Sequence, residues 1–96
     1  MVYRHVVLFR VHDGVGDERV VDAIARLDSL AAEPGVVSWS IARSLDGRKG
    51  RIIVEDATFD DAAAFSAFRS SAAHIAVGCE MAEISDWWIG DYVSTQ

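Results

Sequence analysis

The chain has 96 residues, 51% of them hydrophobic, and a formal net charge of −6. This length and composition predict one domain, residues 1–96, with a modest core, and the acidic balance argues against nucleic-acid binding because phosphates require clustered basic residues. No apolar run is long enough to span a bilayer or form a signal peptide, and a lone cysteine, Cys79, excludes an internal disulfide framework, so we expect a cytoplasmic protein without a membrane partner.

The opening segment, residues 2–11, has the pattern of a strand that is buried on both faces. Alternate side chains of a strand point to opposite faces, and large apolar groups lie near the centre of each, such as Val7 on one and Leu8 on the other. His5 shares the face of Val7. A sheet with one wet face alternates apolar and polar residues instead. We therefore expect something to cover each side.

A helix follows, with Asp17 as its expected N-cap and Pro34-Gly35 as its end. Its apolar residues recur at helical spacing: Val20, Ala23, Ile24, Leu27, Leu30 and Ala31. Alternating residues then predict two strands, over 37–42 and 52–59, joined by a glycine-containing turn.

The second half of the chain is predicted to hold two helical pieces and a last strand. Either Thr58 or Asp60 is expected to cap the first piece, and Ser70-Ser71 separates it from a second piece over residues 72–83. Residues 86–93 complete the chain as a fourth strand. The order strand, helix, strand, strand, helix, strand predicts an α+β, ferredoxin-like βαββαβ fold with a four-stranded antiparallel sheet.

Such a sheet carries helices on one face only, which leaves the second apolar face without a cover. Leaving it in water would forfeit several kcal/mol at about 25 cal/mol per Å² of apolar surface. We therefore predict a homodimer in which two sheets pack face to face. The alternative is a monomer with an exposed apolar sheet, and patches of that size are rare on monomers.

Three titratable side chains are candidates for one pocket beneath the helices. His5 and Glu55 lie on the inner faces of neighbouring strands, and His74 lies in the helical region that crosses them. A histidine in an apolar cavity can act as general acid or base, and Tyr3 could donate a hydrogen bond to a developing oxyanion. No pair of ligands has the helical spacing of a metal site, so we predict no metal.

Each candidate also has a structural interpretation. His5 could be a buried neutral imidazole bonded to a backbone carbonyl, and His74 could cap or orient a helix end. Glu55 could reach solvent or pair with Arg51. The three tryptophans are more typical of a core or a dimer contact than of a ligand site.

In their order along the chain, several short segments resemble the stress-responsive A/B barrel (Dabb) family. They are residues 5–9 (HVVLF), 34–36 (PGV), 57–59 (ATF), 72–74 (AAH) and 91–92 (DY). The resemblance implies a dimeric α+β barrel. It also aligns His74 and His5 with the catalytic and first-strand histidines of a family member, olivetolic acid cyclase. Where that cyclase has a tyrosine on its second helix and a pocket histidine on its third strand, this chain has Phe68 and Ile53.

Three functions are compatible with these residues. The first is a cofactor-independent enzyme of cyclase or lyase type, which acts on an aromatic, polyketide-like or carbonyl substrate with His74 as acid or base. In that case Tyr3, Ile53, Glu55 and Phe68 would contact the substrate. The second is a dimer that binds a small apolar ligand in the same cavity. The third is a structural stress-response dimer whose cavity is filled by Phe65, Phe68 and Met81.

Overall fold

The computed structural model describes residues 1–95 as one antiparallel sheet covered on one face by helices. The strands are β1 (Val2–Val11), β2 (Val36–Arg43), β3 (Ile52–Phe59), β4 (Ser85–Ile89) and β5 (Tyr92–Ser94). The helices are α1 (Asp17–Asp28), α2 (Ala62–Arg69) and α3 (Ala72–Ile84), and a short 3-10 turn over Ser29–Ala32 follows α1. The ferredoxin-like α+β prediction is confirmed.

Strand β1 is the centre of this sheet, as its two apolar faces indicate. It pairs with β3 on one side and with both β4 and β5 on the other, and β2 lies at the outer edge beside β3. Its side chains alternate as expected, since His5, Val7 and Phe9 are buried beneath the helices while Leu8 is 42% exposed on the opposite face.

The predicted fourth strand is wrong in one respect, because it is interrupted and the sheet has five strands. The break falls at Gly90-Asp91, between β4 and β5. There the backbone N–H of Gly90 still donates to the carbonyl of Val6, at 2.9 Å. The N–H of Val6, however, donates to the side chain of Asp91, at 3.3 Å. A side-chain carboxylate thus replaces a backbone carbonyl in the sheet, which turns Asp91 toward β1.

The helix starts also differ from the sequence-based expectation. The N-cap of α1 is Gly16 and not Asp17, which forms the first turn, where its charge is favourable to the helix dipole. The N-cap of α2 is Asp61, whose carboxylate accepts a hydrogen bond from the N–H of Ala64 at 2.8 Å. The expected break between the helices is present, and Ser71 caps α3 by accepting from the N–H of His74.

Between the sheet and the helices lies the core. It contains Val7, Phe9, Val11, Val20, Leu27, Leu30, Ile53, Ala57, Phe59, Phe68, Val77, Met81 and Ile84. The register of β2 shifts at a β-bulge between Val36 and Ser38. Val37 is therefore 56% exposed, although the alternation of the sequence places it on the apolar face of this strand. None of the helices in residues 1–95 is both long and apolar enough to cross a membrane.

The outer face of the sheet has an apolar centre without a cover. Leu8 lies between Val54 of β3 and Trp88 of β4 in the strand register, and Trp88 is 61% exposed. Near one end of the same face the guanidinium of Arg4 lies over the ring of Tyr92, 5.9 Å from its centroid. This surface is the one that the strand pattern predicted would need a partner.

Candidate functional site

Two of the predicted site residues, His5 and Glu55, form a buried pair beneath the helices. In the β1–β3 register Glu55 lies opposite Val7, so its side chain emerges diagonally beside that of His5. The Nε2 atom of His5 lies 3.0 Å from Oε2 of Glu55, and each residue is only 3% exposed. Glu55 therefore neither reaches solvent nor pairs with Arg51, whose guanidinium donates to the carbonyl of His12.

Asp91 completes this pair on its other side. Its Oδ1 atom lies 2.8 Å from Nδ1 of His5, and its Oδ2 atom accepts a hydrogen bond from the hydroxyl of Tyr3 at 2.7 Å. The side chains of Tyr3, Asp91, His5 and Glu55 form one chain of hydrogen bonds. The sequence analysis gave Asp91 no role in the site, although an aspartate after a glycine in an otherwise apolar strand was a usable signal.

These contacts determine the charge of His5. Burial by itself lowers the pKa of an imidazole, but hydrogen bonds and charges from Glu55 and then Asp91 outweigh it and raise the pKa of His5 above its usual value. With a carboxylate at each ring nitrogen, both nitrogens act as donors in the imidazolium form. His5 is not bonded to a backbone carbonyl as the structural interpretation expected, since both of its ring nitrogens contact carboxylates.

The hydroxyl of Tyr3 is also engaged, in its hydrogen bond to Asp91. Burial raises the pKa of Tyr3, and the hydrogen bond to Asp91 and the charge of that carboxylate raise it further. The phenol remains protonated and gives its only proton to Asp91. Its ring stacks on Phe65, with centroids 4.7 Å apart. In this structure the hydroxyl of Tyr3 holds Asp91 in place. It has no further proton to donate to a ligand in the cavity.

His74 is held in the opposite ionisation state. It lies in the first turn of α3, and its Nδ1 atom is 3.0 Å from the carbonyl oxygen of Arg69. A carbonyl can only accept, so Nδ1 carries the proton and Nε2 keeps its lone pair. Burial lowers the pKa of His74, an effect that the charge of Glu55 and the hydrogen bond to Arg69 only partly reverse. The imidazole is therefore neutral at pH 7.

One cavity, of about 90 Å³, brings His5, Glu55 and His74 together, as the sequence analysis expected. Much of its remaining lining is apolar and buried: Val7, Phe9, Leu27, Leu30, Val77 and Met81. Arg69, Trp87 and Ile89 also line it and are exposed, so they mark its open side. The side chains of Phe65 and Met81 border this space without filling it.

The remaining predicted contact residues, Tyr3, Ile53 and Phe68, do not line this cavity. Phe68 is 2% exposed because its ring packs among the aromatic rings of Trp39, Phe59 and Phe65, behind that of His74. Ile53 is 1% exposed in the core, opposite Phe9 in the strand register. Both side chains support the cavity wall. Within residues 1–95 no group of three or more His, Cys, Asp or Glu side chains is arranged to hold a metal ion.

The fold and site define a small ferredoxin-like α+β protein with a histidine-containing cavity between sheet and helices. A family model described as the stress responsive A/B barrel domain matches residues 3–94. The chain belongs to this family, and the resemblance drawn from its sequence is confirmed. Among proteins with curated descriptions, none matches the chain in sequence.

Several solved structures share the whole fold. A dimeric ferredoxin-like protein of unknown function from Thermobifida fusca is 25% identical, with a TM-score of 0.87 over 98% of this chain and 92% of its own. A hydroxynitrile lyase from Passiflora edulis is 19% identical, with a TM-score of 0.85 over 99% and 95%. SnoaB, a cofactor-independent oxygenase from Streptomyces nogalater, is 22% identical, with a TM-score of 0.81 over 99% and 94%.

Proposed function

We propose that the protein is an enzyme that works without a cofactor and uses His74 as a general base on a small aryl or polyketide-like carbonyl compound. The observation that carries this proposal is the state of the His74 ring. Its Nδ1–H is fixed on the carbonyl of Arg69, which leaves the basic Nε2 as the free nitrogen of a ring that lines an apolar cavity. A neutral imidazole with a lowered pKa is ready to accept a proton at pH 7.

The step proposed for His74 is removal of a proton from the carbon next to the substrate carbonyl, which leaves an enolate. The imidazolium that forms is stabilised by the buried charge of Glu55, which acts on His74 across the cavity. His5 serves as a positioning residue in this scheme, because both of its nitrogens are engaged and it holds Glu55 in place. Proton abstraction of this kind is the first step of cyclase and lyase chemistry.

Relatives by fold support an enzymatic role. Two of the structures that share the fold are described as a hydroxynitrile lyase and a cofactor-independent oxygenase. Each of these proteins matches nearly the whole of this chain. A cytoplasmic location is part of the proposal, and the free, exposed thiol of Cys79 is consistent with it.

A homodimer is the assembly in which this site is proposed to work. The exposed apolar side chains of Leu8 and Trp88 lie on the outer sheet face, which a second sheet would cover. On the same face, Nε of Arg4 is buried without a hydrogen-bond partner among residues 1–95, and an acceptor from a neighbouring subunit would satisfy it. The similar protein from Thermobifida fusca is described as dimeric.

Deuterium exchange into phenylacetone in D2O, followed by NMR, tests the proposed step directly. The wild-type protein is expected to exchange the protons next to the carbonyl faster than buffer does. His74→Ala should reduce this rate to background, and His12→Ala is the matched control, because His12 lies outside the cavity and contacts Asp86. Near-UV circular dichroism verifies that both variants are folded. Exchange that survives in His74→Ala would refute the role of the base.

A binding function is the second candidate, favoured by the predominantly apolar lining of the cavity. It predicts that phenylacetone raises the melting temperature of the protein while the wild-type exchange rate equals that of buffer. That combination of results would replace the enzyme proposal with a carrier.

A further inference from the structure

Arg69 differs from every other arginine of the chain in having no partner for its guanidinium. The others donate to or pair with a carboxylate or a backbone carbonyl within residues 1–95: Arg4 with Asp56, Arg10 with the carbonyl of Lys49, Arg19 with Glu83, Arg26 with Glu80, Arg43 with Asp17, Arg48 with Asp46, and Arg51 with the carbonyl of His12. Within the same residues the guanidinium of Arg69 makes neither a hydrogen bond nor an ion pair.

The position of Arg69 gives this free charge a target. Arg69 is the last residue of α2, it is exposed, and it lines the open side of the cavity beside His74. Its backbone carbonyl accepts a hydrogen bond from Nδ1 of His74. The base and the guanidinium therefore lie on either side of the short connection between α2 and α3. The positive charge of Arg69 also reaches into the site, since it acts to lower the pKa of both His74 and Tyr3.

A second charged group at the cavity has the opposite sign. There the imidazolium of His5 lies between the carboxylates of Glu55 and Asp91, which leaves one excess negative charge on the cluster. An anionic group would be repelled by this cluster and attracted to Arg69. A ligand with an apolar body and one acidic group would therefore bind in one orientation, with the acidic group at the open side.

We propose that Arg69 binds an acidic group of the substrate, and that the cavity selects aryl carbonyl compounds that carry a carboxylate. The proposal rests on the function proposed above and names its substrate class. The planar guanidinium can meet both oxygens of a carboxylate with two parallel hydrogen bonds. The carboxylate held there would keep the carbonyl end of the substrate near Nε2 of His74.

Two probes that differ by one ring carboxylate test this selection. Phenylacetone is the neutral probe, and 4-(2-oxopropyl)benzoate has the same ketone with a carboxylate on the ring. For deuterium exchange, the wild-type protein is expected to show a KM for the benzoate about two- to fivefold below that for phenylacetone, the range of an exposed ion pair. Arg69→Gln should abolish this difference by raising the KM for the benzoate to that for phenylacetone.

Arg26→Gln is the matched control, because Arg26 is an exposed arginine that pairs with Glu80 and does not line the cavity. It should leave the preference for the benzoate unchanged. An equal loss for both probes in Arg69→Gln would refute charge recognition and assign Arg69 a purely structural role through its carbonyl. Equal KM values for the two probes in the wild-type protein would also overturn the proposal.

Calorimetric binding separates this proposal from the proposed catalysis. His74→Ala keeps Arg69 and should still bind 4-(2-oxopropyl)benzoate more tightly than phenylacetone, even though exchange is lost. If the wild-type protein binds the benzoate selectively through Arg69 but exchanges neither probe, the anion site stands and the catalytic proposal fails. If exchange occurs without selective binding, the anion site fails alone.

Discussion

Replacing Glu55 with glutamine would remove one of the two negative charges that surround the imidazolium of His5. Glutamine keeps the shape of the side chain and an acceptor oxygen for Nε2–H, so the charge is the main change. A charge-assisted hydrogen bond contributes about 1.5–3 kcal/mol and a neutral one about 0.5–1.5 kcal/mol. Since both residues are 3% exposed, solvent does little to reduce this difference. We expect Glu55→Gln to lower the free energy of unfolding by about 1–2 kcal/mol.

This loss should depend on pH in a defined direction. The folded structure raises the pKa of His5 above its usual value of 6.5, so the charged imidazole stabilises the fold fully below pH 6.5. That stabilisation disappears as the pH rises through the folded pKa. The difference between wild-type and Glu55→Gln should therefore be largest near pH 6 and smaller in alkaline solution.

Urea unfolding at several pH values and one fixed protein concentration measures this difference. Glu80→Gln is the matched control, because Glu80 forms an ion pair with Arg26 in which both side chains are 51% exposed. Exposed pairs contribute less than about 1 kcal/mol. Equal losses in the two variants at pH 6, or a loss in Glu55→Gln that does not vary with pH, would refute a charged His5.

Three further outcomes are expected. By NMR titration His74 should have a pKa below 6.5 and show the Nδ1–H tautomer at pH 7, because it is half-buried and its Nδ1 contacts a backbone carbonyl rather than a carboxylate. Phe68→Ala should lower the free energy of unfolding in urea by about 3–5 kcal/mol, since it empties a buried aromatic cluster. Leu8→Asp should dissociate the proposed dimer in sedimentation experiments, while Ile75→Asp, an equally exposed position on α3, should not.

The sequence predicted well which face of a strand each side chain occupies, because the two-residue periodicity of a strand determines it. Alternation along β1 assigned His5 and Val7 to one face and Leu8 to the other, and the structure has them there. The same rule placed Glu55 on the inner face of β3. The two serines between α2 and α3 predicted a break because serine favours helix caps over helix interiors, and Ser71 is indeed a cap.

The charge of His5 could not be predicted from its own neighbours in sequence. It depends on Glu55, fifty positions away, and on Asp91, which arrives through the break after β4. At that break the side-chain carboxylate of Asp91 takes the place of a backbone acceptor for Val6. Gly90-Asp91 marks the position of the break in the sequence, but not the strand residues that the carboxylate reaches. The position of Phe68 also could not be predicted, and the sequence wrongly suggested that its ring would contact the substrate. Helical spacing orients its ring only within α2, and the packing of β2 and β3 decides what the ring contacts.

Two histidines in one small cavity are held in opposite charge states by different surroundings. This difference in charge suits His74 to the proposed role of base and His5 to that of positioning residue. A carboxylate at each nitrogen fixes His5 as a cation that cannot exchange a proton with a substrate, whereas burial and a backbone carbonyl keep His74 neutral with one nitrogen free. A buried charge cluster is costly to maintain and is weak evidence for stability alone. Together with Arg69, it instead gives the cavity charged groups of both signs. Exchanging Glu55 for a neutral residue removes the excess negative charge that repels an acidic ligand. It should therefore lower the KM for the benzoate relative to that for phenylacetone, even where the fold is retained.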